Sequence, residues 1–185
     1  MRIGVIGADA ISDTLALWWR QAGHEVALSS PAASVAEAAE FGEAVLFAPG
    51  WTSAHDVLDR VGHALDGKPV LDATNPARTR GGPPVRSGLE QLTEWCPEAH
   101  WVKAFNTLPA EVLDIRRGHD PLLTEFLCTD HADARTTAAR LVRDIGLAPL
   151  YAGGADRAWL TESGPLRMRE VDINDATAVL GQVLG

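Results

Sequence analysis

Short apolar runs of strand type alternate with stretches of helical apolar spacing along most of the chain, the pattern of a mostly parallel sheet with helices on both faces. The spacing predicts a strand over residues 2–6, a helix over 10–22 and a second strand over 25–28. A short helix over 34–40, a strand over 44–48, a helix over 53–65 and a strand over 69–73 follow. Residues 75–88 carry three prolines, three glycines and three arginines but no acid, and read as a loop. A helix over 89–95, strands over 101–104 and 122–129, a helix over 132–145 and a last strand over 148–151 complete the alternation. Beyond Gly153 the pattern weakens, until Asp172 offers a cap for a final helix running to about Leu184.

The first three elements form the opening half of a dinucleotide-binding βαβ unit, so the expected fold is a single Rossmann-like α/β domain with a doubly wound sheet. Its phosphate turn departs from the usual glycine pattern. Where G-x-G-x-x-G/A is required, the three positions are Gly7, Asp9 and Ser12. Asp9 suits a helix N-cap, and its carboxylate competes with a phosphate for the same donors. A second charge ~4 Å away costs about 1 kcal/mol in water and about 4 at a surface-like dielectric, a penalty of roughly tenfold to a thousandfold in affinity. After the second strand, Ser29-Ser30-Pro31 supplies neither the acid that reads an NAD ribose nor the arginine that meets an NADP phosphate. Hydroxyls without a repelling acid favour NADP(H) over NAD(H), with a weakened grip.

With 185 residues, 46% of them hydrophobic, the chain is long enough for one sizeable core. The domain is expected over residues 1–162, with a tail over 163–185 that packs on it or on a partner subunit of a homodimer. A net charge of -9 argues against a nucleic-acid partner. No apolar run approaches bilayer length and the start lacks signal-peptide character, so the expectation is a cytoplasmic protein without a membrane partner. Cys96 and Cys128 read as packing residues, and the six histidines show no ligand spacing, so no metal site is expected.

Four segments then fall in order: Gly23-His24-Glu25-Val26, Asp72-Ala73-Thr74-Asn75-Pro76, Val102-Lys103-Ala104-Phe105-Asn106-Thr107 and Arg143-Asp144-Ile145-Gly146. Over residues 1–162 they resemble the NADP-dependent oxidoreductases related to deazaflavin (coenzyme factor 420)-dependent NADP reductases, a family also similar to the reductase domain of membrane metalloreductases. The resemblance implies one Rossmann domain holding NADP(H), with hydride passing between the nicotinamide and a flavin-like ring. Such a reaction depends on alignment, because the cofactors carry the chemistry. It puts Gly7, Ala8, Asp9, Ala10 and Ile11 at the pyrophosphate, Ser29 and Ser30 at the ribose, and Ala48, Pro49 and Trp51 beside the nicotinamide. Asn75, Pro76, Ala104, Phe105 and Asn106 fall on the facing rim, and Asn75, Asn106 and Lys103 are the candidate catalytic residues. The two asparagines can orient an amide or carbonyl, and Lys103 can meet an anion or polarise a substrate oxygen. Arg78, Arg80 and Arg86 form the one basic loop, read either as solvated or as receiving an acidic substrate. The partner is expected to be a small-molecule substrate or a deazaflavin-type coenzyme. The alternative is a fold that has given up the dinucleotide, carries no cofactor, and uses its cleft to bind an organic ligand or for redox-neutral chemistry such as a cyclase or isomerase step.

Overall fold

The computed structural model describes residues 1–29, 34–76 and 86–184. Seven strands, β1 (Arg2–Ile6), β2 (Glu25–Leu28), β3 (Ala44–Phe47), β4 (Pro69–Asp72), β5 (His100–Lys103), β6 (Thr124–Cys128) and β7 (Ala148–Gly153), form one sheet in the order β2-β1-β3-β4-β5-β6-β7. The first five are parallel. β6 runs antiparallel to β5, and β7 follows β6 in parallel.

The helices are α1 (Ala10–Gln21), α2 (Val35–Phe41), α3 (Ala54–Val61), α4 (Gly88–Trp95), α5 (Ala110–Arg116), α6 (Ala132–Asp144), α7 (Trp159–Glu162) and α8 (Ile173–Leu184). Alternation along each strand feeds two cores. Val45 and Phe47 of β3 join α2, α3, α4 and α8 on one face, while Ala44 and Leu46 join α1, α5 and α6 on the other. Burial on both faces is why these strands read as unbroken apolar runs. The tail packs back on the first core through Leu166, Val171, Ala176 and Leu180.

The helix expected over 53–65 is shorter than predicted. Gly62, at φ 58°, stops α3 at Val61, and a tight 3-10 turn spans Gly62–Leu65. Asp72 ends its strand and Asp172 starts α8, accepting from the Asn174 and Asp175 amides at 2.9 and 3.3 Å. Helices α5 and α7 were not anticipated, since seven and four residues leave little periodicity to read.

Candidate functional site

β2 lies on one side of β1 and β3 on the other, so the loops leaving β1 and β3 diverge and open a cleft at their carboxyl ends. Its volume is about 580 Å³, and its lining includes Gly7, Ala8, Asp9, Ser29, Ala48, Pro49, Trp51, Thr74 and Asn75. That volume lies within the usual range for small-molecule sites.

The first wall is the turn between β1 and α1. A Cβ on Gly7 would stand 2.2 Å from Ser12 Oγ and 2.9 Å from the Ala48 carbonyl, so glycine is required to seat this turn against the loop after β3. The Gly7 amide donates to Ser29 Oγ at 3.2 Å, tying the turn to the end of β2. Asp9 is the N-cap of α1. Its Oδ1 accepts from the Ser12 amide at 2.9 Å and from Ser12 Oγ at 2.7 Å, so a carboxylate already satisfies donors that a phosphate would seek. Ala10 and Ile11 begin α1 but are not among the lining residues.

The second wall is the loop after β3. Ser53 Oγ donates to the Gly50 carbonyl at 2.9 Å and fixes a tight turn that starts at Trp51. The Trp51 ring rests 5.6 Å from that of Trp95 and offers the cleft a half-buried aromatic surface.

The third wall follows β4 and is held from below by buried charge. Asp72 Oδ1 accepts from the Thr74 amide at 2.8 Å and from Thr74 Oγ1 at 2.6 Å, while Lys103 Nζ donates to the Thr74 carbonyl at 3.0 Å. Asn75 Nδ2 donates to the Asn106 carbonyl at 3.0 Å, and Asn106 Nδ2 donates to Asn75 Oδ1 at 3.1 Å and to Thr161 Oγ1 at 3.2 Å. The two asparagines that end adjacent strand loops are thus locked together. Pro76 lies beyond them against Gly88.

Lys103 does not stand on this rim. Its ammonium is 0% exposed, paired with Asp72 and with Glu162 at 2.8 Å, so it meets no ligand in the cleft and serves as the prop beneath Thr74. Burial works against its charge, but Asp72 and Glu162 together overcome it and hold its pKa above the ordinary lysine value. Burial lifts the Asp72 carboxyl, against the pull of Lys103 and Thr74. Glu162 also accepts from the Gly88 and Leu89 amides at the start of α4, at 2.9 and 3.2 Å. Ala104 and Phe105 are likewise interior: Phe105 packs edge-on against Trp19, and its amide donates to Glu125 Oε1 at 2.6 Å. Burial pushes the Glu125 carboxyl up to about 8. Ser30, Arg78 and Arg80 lie outside the described residues, and Arg86 is paired with Glu94.

Sequence reasoning missed Asp72, Thr74 and Glu162 as the frame of the third wall. The first two stand inside a quoted motif, whereas Glu162 falls where the pattern had faded.

No protein-family model matches the chain. Among solved structures it is similar to a hypothetical protein of Sinorhizobium meliloti, 28% identical, with a TM-score of 0.75 over 93% of this chain and 95% of that one. It is also similar to a provisionally assigned F420-dependent NADP reductase of Arthrobacter sp. FB24, 26% identical, with a TM-score of 0.72 over 84% and 86% of the two chains. Among curated proteins it is 29% identical over 126 residues to metalloreductase STEAP3 of Rattus norvegicus, covering 67% of this chain and 25% of that protein. The chain therefore spans about a quarter of that relative's length. In its sheet order, in the motifs that end β4 and β5 and in these likenesses, the chain is similar to NADP-dependent oxidoreductases of the F420-dependent NADP reductase type.

Proposed function

We propose that the cleft between β1 and β3 binds NADP(H), and that the protein passes hydride between the nicotinamide and a flavin-like or otherwise conjugated small-molecule acceptor. The observation that carries this reading is a cleft of about 580 Å³ at the point where strand order reverses, with an aromatic face at Trp51 and the Asn75 amide locked from behind by Asn106, which is buried and does not line the cleft. The likeness to a provisionally assigned F420-dependent NADP reductase supports it.

The residues present suit such a group, with one reservation in their chemistry. Ser29 and the Gly7 turn stand where an anionic end would lie, Trp51 gives a ring an apolar surface that excludes water, and Asn75 offers an amide held in place by Asn106. Asp9 opposes the phosphates and lowers the affinity without closing the cleft. NADP(H) supplies the hydride when bound; the chain's own part is to fix orientation and keep water out.

Trp51 makes the test direct. Titration with NADPH while following tryptophan emission is expected to give a saturable change, at lower concentration than NADH requires. Saturation by neither nucleotide up to about 1 mM, a binding free energy of about -4 kcal/mol, overturns the reading. With NADPH bound, adding a deazaflavin or a flavin mononucleotide should deplete NADPH absorbance; binding without depletion removes the flavin-like acceptor and retains the cofactor.

A further inference from the structure

We propose that His100, His131 and Asp133 form a binding site for a divalent transition metal, with zinc the best-suited ion, at the end of β5 away from the cleft. The antiparallel pairing of Lys103 with Cys128 brings the start of β5 beside the loop that follows β6. That pairing joins residues too far apart in sequence to show ligand spacing. One ligand atom from each of the three side chains lies within 4.8 Å of the others. Zinc bonds of about 2.0–2.2 Å in a tetrahedron need donors roughly 3.3–3.5 Å apart, so His100 Nδ1 and Asp133 Oδ2, now 2.6 Å apart, have to part by less than about 1 Å to admit the ion.

The backbone is already braced for this. Thr129 Oγ1 donates to the Trp101 carbonyl at 2.6 Å and accepts from the His131 amide at 3.0 Å, and the His100 amide donates to the Lys68 carbonyl at 2.9 Å. His131 occupies the N-cap of α6, yet its side chain makes no capping bond. Its ring instead lies 4.5 Å from that of His100, with 11° between their planes. His100 Nδ1 and Asp133 Oδ2 are 2.6 Å apart, the contact that a metal would replace. The Asp133 carboxylate thus stands beside two imidazoles.

Two imidazoles and a carboxylate suit zinc, nickel or cobalt, with water completing the shell. A metal must lie near both ring planes, so binding unstacks the pair by turning one ring about its χ2, a soft torsion. The bound ion would clamp the start of β5 to the first turn of α6. A second cluster, His55, Asp56 and Asp59, is wholly exposed and brings only one imidazole, which makes it an internal control.

The test titrates the chelator-treated full chain with zinc chloride in a calorimeter. One zinc per chain at micromolar Kd is expected, with His131→Ala and Asp133→Asn each weakening binding about tenfold or more and His55→Ala leaving it unchanged. Asp133 is exposed, so its variant remains informative if His131→Ala fails to fold. By NMR, the ring signals of His100 and His131 should shift together in proportion to bound zinc. No saturation by about 1 mM zinc, or equal losses in His55→Ala and Asp133→Asn, overturns the proposal and leaves only adventitious surface binding.

Discussion

Asp9 does two things that oppose each other: it caps α1 through Ser12, and it sets a negative charge where a dinucleotide's phosphates would lie. Asp9→Asn keeps the accepting oxygen and removes the charge. NADPH should then bind about tenfold tighter, while the melting temperature barely moves because an asparagine caps as well as an aspartate. Parallel fluorescence titrations and thermal melts check this; an unchanged Kd would clear the carboxylate of blame. Lys103 makes the contrasting case, since its ammonium faces two carboxylates and the Thr74 carbonyl in the interior. Lys103→Met leaves those groups buried without their cation and is expected to cost about 3–5 kcal/mol in urea unfolding. A loss of activity at full stability would instead return Lys103 to the chemistry.

At the scale of elements, the strands were legible because burial on both faces makes each an apolar run, and their carboxyl ends located the rim. Asn75 and Asn106 could be paired from sequence, since β4 and β5 are neighbours and each asparagine follows its strand. The depth of Lys103 could not. Its partner Glu162 arrives on a four-residue helix from a segment without periodicity, and only tertiary packing decides whether a strand-end lysine faces water or a buried carboxylate. The overlong helix over 53–65 failed for a local reason, a glycine whose positive φ ended the helical path. Element packing also sets how a glycine responds to substitution. α2 lies so close to β1 that a Cβ on Gly4 would stand 2.1 Å from the Ala38 carbonyl, whereas Gly181 in α8 has open space around it. Gly4→Ala should destabilise by about 1–3 kcal/mol or more, and Gly181→Ala should stabilise by roughly 0.5–1 kcal/mol. Urea midpoints of the two variants in opposite directions are the expected result; the same sign for both would contradict this packing.

Across the whole molecule, the formal charge of -9 counts every carboxylate as ionised, and burial works against that at Glu125, which among the described residues has no cation beside it as Asp72 has in Lys103. Glu125 is 1% exposed on β6, with the Phe105 amide as its donor, and burial raises its pKa from 4.5 to about 8. A carboxyl with a folded pKa above its unfolded one binds its proton more tightly in the native state. Its contribution to stability is therefore complete below the unfolded value of 4.5 and is lost progressively as pH rises to about 8. The slope from this one group is at most about 1.4 kcal/mol per pH unit across that window. Glu125→Gln keeps an oxygen for the Phe105 amide and has no proton to lose. Chemical denaturation of both proteins from about pH 5 to about pH 8 should show the native sequence losing stability relative to the variant, with the gap opening toward pH 8 and levelling beyond it. Parallel profiles would mean that Glu125 ionises in the folded chain as freely as in the unfolded one, and that water or a cation reaches the interior behind the third wall.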